Sequence, residues 1–410
     1  MAGIKDYEEI IGRRNIKQIE VLASLSRGKK VVMVSSTRYG GGVAEILHRM
    51  VPLLNELGIE CRWEVISGNN GFFNITKDMH NALQGERIKF SGEELEKYRK
   101  VNEDNAKSLN LDADIVIIHD PQPLPLIDFY PKKKGAWVWR CHIDMSRPDL
   151  YLWKSLRKYL MEYDASVFSI AKFTKSLPHP QYLIAPSIDP LSDKNRELSS
   201  SEIESFLKEH NITRDKPIIL QVSRFDRFKD PIGVIQAFRL VKKEINCQLI
   251  LAGGTSCDDP EGAEVLAEVE EEAEGEEDIH ILLLKPKSDK EINALQRTAD
   301  VIIQKSLKEG FGLTVTEAMW KGKPVIGGEV GGITIQLHNH RTGFLVNSIE
   351  GTAYRIRYLL NRPSVSNKIE ERAKNLVSQN FLITRHLKDY LSLFYILENP
   401  GKNIIYTDKG

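Results

Sequence analysis

Short runs rich in Val, Ile and Leu recur along the chain, and between them apolar residues return every three or four positions. A short run without polar interruption suits a strand buried on both faces, and the 3.6-residue period suits a helix laid against it. Their alternation predicts parallel βαβ units, so the expected fold class is α/β with Rossmann-like parallel sheets. In the first half, strands fit residues 30–35, 61–66, 114–118, 136–140, 165–169 and 182–184. After the first comes a loop, Tyr39-Gly40-Gly41-Gly42, then an amphipathic helix over 43–57 that Gly58 closes.

The periodicity stops at 185–196, APSIDPLSDKNR, where two prolines and several charged residues predict a linker. Then it restarts. Strands fit 217–222, 248–252, 279–283, 299–303, 324–326 and 343–346, followed by helices over 365–377 and 382–397. The last helix carries enough Leu, Tyr and Phe to require a partner surface, and packing back onto the first half would supply one. A chain of 410 residues is also too long for one ordinary core. The expected division is a Rossmann-like domain over 1–190, a linker region over 191–213, a second such domain over 214–380 and a C-terminal helix over 381–410, with the two domains facing each other across a cleft.

Charge narrows the partners. Lys plus Arg and Asp plus Glu both number 57, so no overall field attracts a polyanion, and an anionic ligand needs a local cluster. Nucleic acid is therefore not an expected partner. The opening MAGIKDYEEIIGRRNIKQIE mixes charges with apolar residues, and nothing later approaches the ~20 apolar residues of a membrane span. This predicts a cytoplasmic chain with no membrane partner. Cys61, Cys141, Cys247 and Cys257 show neither zinc spacing nor disulfide density and read as core or surface thiols. The acidic stretch 264–278 reads as a solvated helix and loop, because its carboxylates lack the spacing of a metal-binding loop.

The strongest chemical signal is EGFGLTVTE at 309–317, where a glycine loop joins the carboxyl end of a strand to a helix N-terminus. Free backbone amides and the positive end of the helix dipole favour an anion there, and the glycines let the backbone approach it. Gly310, Phe311, Gly312, Leu313 and Thr314 are therefore expected around a phosphate. Glu317, one turn into the helix, can accept from a pair of sugar hydroxyls, and Glu309, before the turn, would face another part of the same ligand. Taken alone, the segment reads equally well as a helix start with both glutamates in solvent.

The stretch SRFDRFKDP at 223–231, again between a strand and a helix, shifts that balance. Arg224 offers a planar fork and Lys229 a point charge, a pair suited to a diphosphate leaving group. Arg227 reads as surface charge. In the first half, Gly40 and Gly42 have the spacing of a dinucleotide fingerprint, yet Glu45 stands at the third glycine position and no ribose-binding acid follows the second strand. An NAD site is not expected; Gly41 and Gly42 read either as a close approach to a ligand or as a tight turn. Arg140-Cys141-His142-Ile143-Asp144 ends a strand, which puts His142 on the ligand side of an open sheet, in reach of a transferred sugar. His119-Asp120 has the same topology and a weaker claim, on the acceptor side. Asp112-Ala113-Asp114 precedes its strand and should face away. No metal-ligand set stands out.

Together, the glycine loop, SRFDRFKDP and the paired glutamates resemble the retaining nucleotide-sugar glycosyltransferases of family 4, which have the GT-B fold, over nearly the whole chain. GGVAEILHRMVPLLNELGIECRWEVISGNNGFFNITKDMHNALQG and WRCHID are more specifically similar to archaeal glycosyltransferring trehalose synthases. This resemblance implies retaining transfer of glucose from ADP-, UDP- or GDP-glucose to free glucose, giving trehalose. It implies Glu309 as partner of the donor-sugar hydroxyls, Glu317 as partner of the ribose, Arg224 and Lys229 on the diphosphate, His142 beside the transferred sugar, and Gly41 and Gly42 near phosphate or acceptor. Glu309, Arg224, Lys229 and His142 form the implied catalytic set, with no tightly bound cofactor. Mg2+ as an assisting ion and a homodimer as the assembly are left open. One departure is Thr334-Ile335, where many relatives carry Pro-Glu. The same fold also serves transferases with other acceptors, of sucrose or glycogen type, trehalose phosphorylases and nucleotide-sugar epimerases, so these remain alternatives.

Overall fold

The computed structural model describes residues 2–254, 262–285 and 287–401. The chain divides into two compact units, Met1–Ser187 with Ile383–Gly410, and Ile188–Leu382. Each contains a six-stranded parallel sheet. In the first unit β1 (Lys30–Ser35), β2 (Glu60–Val65), β3 (Ile115–His119), β4 (Ala136–Arg140), β5 (Ala165–Phe168) and β6 (Gln181–Leu183) lie in the order β2-β1-β3-β4-β5-β6. In the second, β7 (Ile218–Val222), β8 (Gln248–Gly253), β9 (Ile279–Leu283), β10 (Val301–Gln304), β11 (Val325–Gly328) and β12 (Phe344–Val346) lie in the order β12-β11-β10-β7-β8-β9.

This order places the chemistry. Strand order reverses between β1 and β3 in one sheet and between β7 and β10 in the other. At such a switch point the loops leaving the carboxyl ends of neighbouring strands diverge and open a crevice. The loops concerned carry Gly40 and His119-Asp120 in the first unit, and SRFDRFKDP and EGFG in the second. Central strands β3 and β7 are buried at every position, as continuous apolar runs require, while the edge strand β9 is only partly covered. Phe238, Val241, Leu249, Ile303, Phe344 and Ile356 are among the side chains closing the core of the second unit.

The final helix, Ile383–Glu398, belongs to the first unit: Lys388 Nζ donates to Asn15 Oδ1 at 2.9 Å, and Arg385 to the carbonyls of Ala185 and Pro186 at 2.7 and 3.0 Å. Asn15 lies in a helix, Arg13–Leu25, that the charge-mixed N-terminus concealed; its apolar stripe is Ile16, Ile19, Leu22 and Ala23. Residues 191–213 are not the bare linker expected. They contain the helix Ser200–Glu209, started by a reciprocal Ser199–Glu202 capping box, and a strap at 193–197 that is hydrogen-bonded into the second unit. The helix after the glycine loop begins at Gly41 rather than 43, and β10 runs to Gln304. Cys61, Cys141 and Cys247 are buried free thiols, and burial pushes Cys61 up to about 12; Cys257 lies outside the described residues. Among the described residues no helix is long and apolar enough to cross a membrane.

Candidate functional site

In the second unit the chain leaves β10 at Gln304, turns through 305–312 and enters the helix Leu313–Trp320 with Gly312 as its cap, at φ +85°. Among the described residues no side chain caps that helix, so its first amides are open to a ligand. Both glutamates of the segment are buried, Glu309 at 8% and Glu317 at 2% exposure, which removes the reading that leaves them in solvent. A buried carboxylate needs partners. Glu309 Oε2 accepts from Lys229 Nζ at 2.6 Å and from Ser306 Oγ at 3.2 Å. Gly331, at φ +45°, lies so close beneath that a Cβ would overlap the Glu309 carbonyl. Gln336 Nε2 donates to the Phe311 carbonyl at 2.7 Å, and the Phe311 ring packs edge-on against Phe381, leaving backbone as the part of Phe311 on offer at the turn. Leu313 and Thr314 are partly exposed at the helix start, with Thr314 Oγ1 donating to Gln304 Oε1 at 3.2 Å. Thr334, in the segment that departs from many relatives, turns its hydroxyl back to the Gly331 carbonyl at 2.7 Å.

The loop after β7 is zipped to this turn. The Leu307 amide donates to the Phe228 carbonyl at 2.8 Å, and Gln221 Nε2 to the Lys229 carbonyl at 2.8 Å. Asp226 caps the short helical turn Arg227–Lys229, and Asp230, held at φ +52°, caps the helix Pro231–Lys242 through the Gly233 amide. Asp230 also pairs with Lys305, a buried lysine that sequence reasoning passed over although it immediately precedes Ser306 and the glycine turn. Arg224 stands 38% exposed, 3.6 Å from Asp226. Arg227 points elsewhere, to Glu264 at 3.1 Å and Glu268 at 2.9 Å on the helix Gly262–Glu272, as its surface reading required. Glu309 and Asp230 are each matched by an ammonium. That donor set fits an anion flanked by hydroxyls better than a divalent cation, which would seek unpaired carboxylates.

Glu317 lies four residues into the helix from Leu313. Its Oε2 accepts from Gln296 Nε2 at 3.2 Å, and its Oε1 is 3.9 Å from Lys194 Nζ. Neither partner had a sequence signal, because one sits mid-helix and the other in the supposed linker.

In the first unit β3 and β4 end side by side, His119 in register with Arg140. His142 is partly exposed, and its Nε2 meets His119 Nδ1 at 3.0 Å with the rings stacked at 5.3 Å. The two histidines are therefore one group. Asp120 fixes them: at φ +63° its carboxylate accepts the His142 amide at 2.7 Å and its carbonyl accepts Trp139 Nε1 at 3.0 Å. Burial is the first cause of every shift here. It lowers His119 to about 3, holds His142 well below the ordinary imidazole range with Arg140 assisting, and raises Asp120 to about 7. Both rings are thus neutral hydrogen-bonding groups at pH 7. Arg140 is fully buried, and none of its guanidinium nitrogens has a hydrogen-bond partner among the described residues. Gly41 and Gly42 open the helix Gly41–Glu56, with nothing within contact distance of a Cβ placed on Gly41. Asp114 accepts the Lys30 amide at 2.8 Å, a structural role at the opposite strand ends.

Residues 33–175 match the family described as Trehalose synthase, N-terminal domain, and 202–376 match Glycosyl transferases group 1. A trehalose-6-phosphate structure from E. coli bound with UDP-2-fluoro glucose superposes with a TM-score of 0.74 at 15% identity, over 90% of this chain and 99% of that one. Fold and family together define a glycosyltransferase of the GT-B class. The trehalose synthase of Pyrococcus horikoshii is 46% identical over 95% of both chains, and that of Rubrobacter xylanophilus 40% identical over 95% of this chain and 96% of its own. The chain belongs to the trehalose synthase family.

Proposed function

We propose that this enzyme is a retaining glucosyltransferase that makes trehalose from an NDP-glucose and free glucose. The observation that carries the reading is the pairing of Lys229 with buried Glu309 at an uncapped helix start, with a second buried carboxylate, Glu317, one turn away. A nucleotide sugar needs that sequence of partners: an acceptor for glucose hydroxyls, cations and amides for the diphosphate, and a carboxylate for the ribose diol. Arg224, Lys229 and the amides at 312–314 stabilise charge that grows on the departing phosphate as the sugar becomes oxocarbenium-like. The departing phosphate itself takes the proton of the attacking glucose hydroxyl on the same face. The C1–O bond to phosphate breaks, the C1–O bond to the acceptor forms, and no protein base is required. Neutral His142, steadied by His119, is a hydrogen-bonding group suited to a sugar hydroxyl.

Product analysis tests this reading. The enzyme is given ADP-, UDP- or GDP-glucose with free glucose, and the linkage is read by NMR; an α,α-linked disaccharide with one donor is expected. Parallel incubations of trehalose with inorganic phosphate and of maltose alone test phosphorolysis and isomerisation. Turnover in either, with no disaccharide from any nucleotide sugar, would replace the proposal.

A further inference from the structure

The segment 193–197 does not merely connect. Asn293 Nδ2 donates to the carbonyls of Asp193 and Arg196, both at 2.8 Å, and Arg297 to the Arg196 carbonyl at 2.9 Å. Trp320 Nε1 donates to the Asn195 carbonyl at 3.2 Å, and Lys321 Nζ to Asn195 Oδ1 at 2.9 Å. These donors come from the helix Asp289–Thr298 and from the end of the helix that carries Glu317. Backbone bonded this densely at both ends holds its side chains in place.

The side chain so held is Lys194. Its ammonium is 3.9 Å from Glu317 Oε1 and 3.6 Å from Asp289 Oδ1, and the residue is 14% exposed on its side chain. Lys321, the other nearby cation, donates to Gln296 Oε1 at 2.7 Å, and the same glutamine amide donates to Glu317 Oε2. Glu317 is thus gripped from two sides, Gln296 on one oxygen and Lys194 facing the other. A glutamate has three rotatable bonds, and a carboxylate that must accept from two adjacent hydroxyls gains from having its plane fixed before they arrive.

We infer that Lys194 is a positioning residue of the nucleotide site, acting through Glu317 to set the carboxylate that accepts the ribose hydroxyls. The inference rests on the assignment of Glu317 to the ribose. An unpositioned carboxylate still binds a diol, but less well, so the effect appears in nucleotide affinity and in donor KM rather than in kcat at saturation.

The experiment measures calorimetric affinity of the full chain for whichever of ADP, UDP and GDP binds tightest, and for its 2′-deoxy and 3′-deoxy forms. Lys194→Met should weaken the parent nucleotide roughly tenfold, the size of one lost charge-assisted contact, and Lys194→Arg should recover most of it. The decisive readout is the penalty for deleting a ribose hydroxyl, which should shrink in Lys194→Met. A generally loosened protein would weaken parent and deoxy nucleotides alike. If Lys194→Met binds the parent within twofold of wild type, or keeps the full deoxy penalty while Glu317→Gln loses it, Lys194 has no such role and the ribose assignment survives. If wild type shows no deoxy penalty and Glu317→Gln binds normally, both assignments fall.

Discussion

Lys229 Nζ donates a 2.6 Å hydrogen bond to Glu309 Oε2, joining the loop after β7 to the loop after β10 across the switch point of the second sheet. The residues are 80 apart in sequence, and each neutralises the other. In the proposed donor complex both groups have alternative partners, phosphate oxygen for the ammonium and glucose hydroxyls for the carboxylate. The pair therefore holds the site open and charge-balanced before the donor binds.

Lys229→Met removes the proposed phosphate partner and leaves Glu309 buried with Ser306 Oγ donating to it. Two losses should follow. Stability should drop by roughly 1–3 kcal/mol, because a buried carboxylate loses its counterion. Turnover per donor encounter should fall about 100- to 1,000-fold, since a transition-state charge contact is lost as well. Steady-state kinetics with thermal melting checks both, and a variant that melts early but keeps kcat/KM would confine Lys229 to a structural role.

The two glutamates should separate in kinetics. In the proposed donor complex Glu317 holds the ribose, which does not react, so Glu317→Ala should raise donor KM and nucleotide Kd with kcat at saturation within about threefold. In the same proposed complex Glu309 holds the reacting sugar, so Glu309→Gln should lower kcat by more than about tenfold with a smaller change in donor KM. Matching effects on both parameters in the two variants would refute the division of labour.

The repeated βαβ pattern was readable because fully buried parallel strands must be apolar throughout, as Ile115–His119 and Ile218–Val222 are up to their chemical ends. EGFG was readable because glycine, acid and helix start coincide there. Less local relationships were not. Lys194 reaches Glu317 from a stretch whose prolines and charges look like a spacer, and its order comes from the side chains of Asn293, Trp320 and Lys321, about 100 or more residues away. His142 could be placed at a strand end, but its pairing with His119 depends on β3 and β4 being neighbours in register, which a single strand's pattern does not reveal.

Gly331 should be among the least replaceable residues outside the ligand contacts. Its φ of +45° strains any L side chain, and a Cβ would collide with the Glu309 carbonyl, which cannot retreat without moving the carboxylate. Gly331→Ala should cost roughly 2–4 kcal/mol, combining backbone strain with overpacking. It should also depress activity at temperatures where the variant is fully folded. Gly351→Ala is the control: it lies mid-chain in a helix start where a Cβ meets only the Ser348 hydroxyl. Equal melting temperatures and activities for the two variants would show that the close approach at Gly331 carries no weight.

Acid should destabilise the first unit through its buried and half-buried imidazoles. Burial lowers His119 to about 3 and holds His142 and His386 well below the usual value. In the unfolded chain these rings bind protons below about pH 6.5, while the native rings refuse them, so stability falls as pH drops through that value. Asp120 works the other way. Raised by burial to about 7, it keeps its proton in the native state while the unfolded carboxyl loses it above about 3.9. Its contribution is present at low pH and disappears as pH rises toward 7. Three histidines outweigh one aspartate, so the midpoint of urea denaturation should fall between pH 7 and pH 5. Asp120→Asn removes the opposing group and should steepen the fall by about one proton, whereas His386→Asn should make it shallower by about one. A wild-type midpoint that stays level or rises on acidification would mean the imidazoles are protonated in the native cluster after all, with Asp120 ionised beside Arg140.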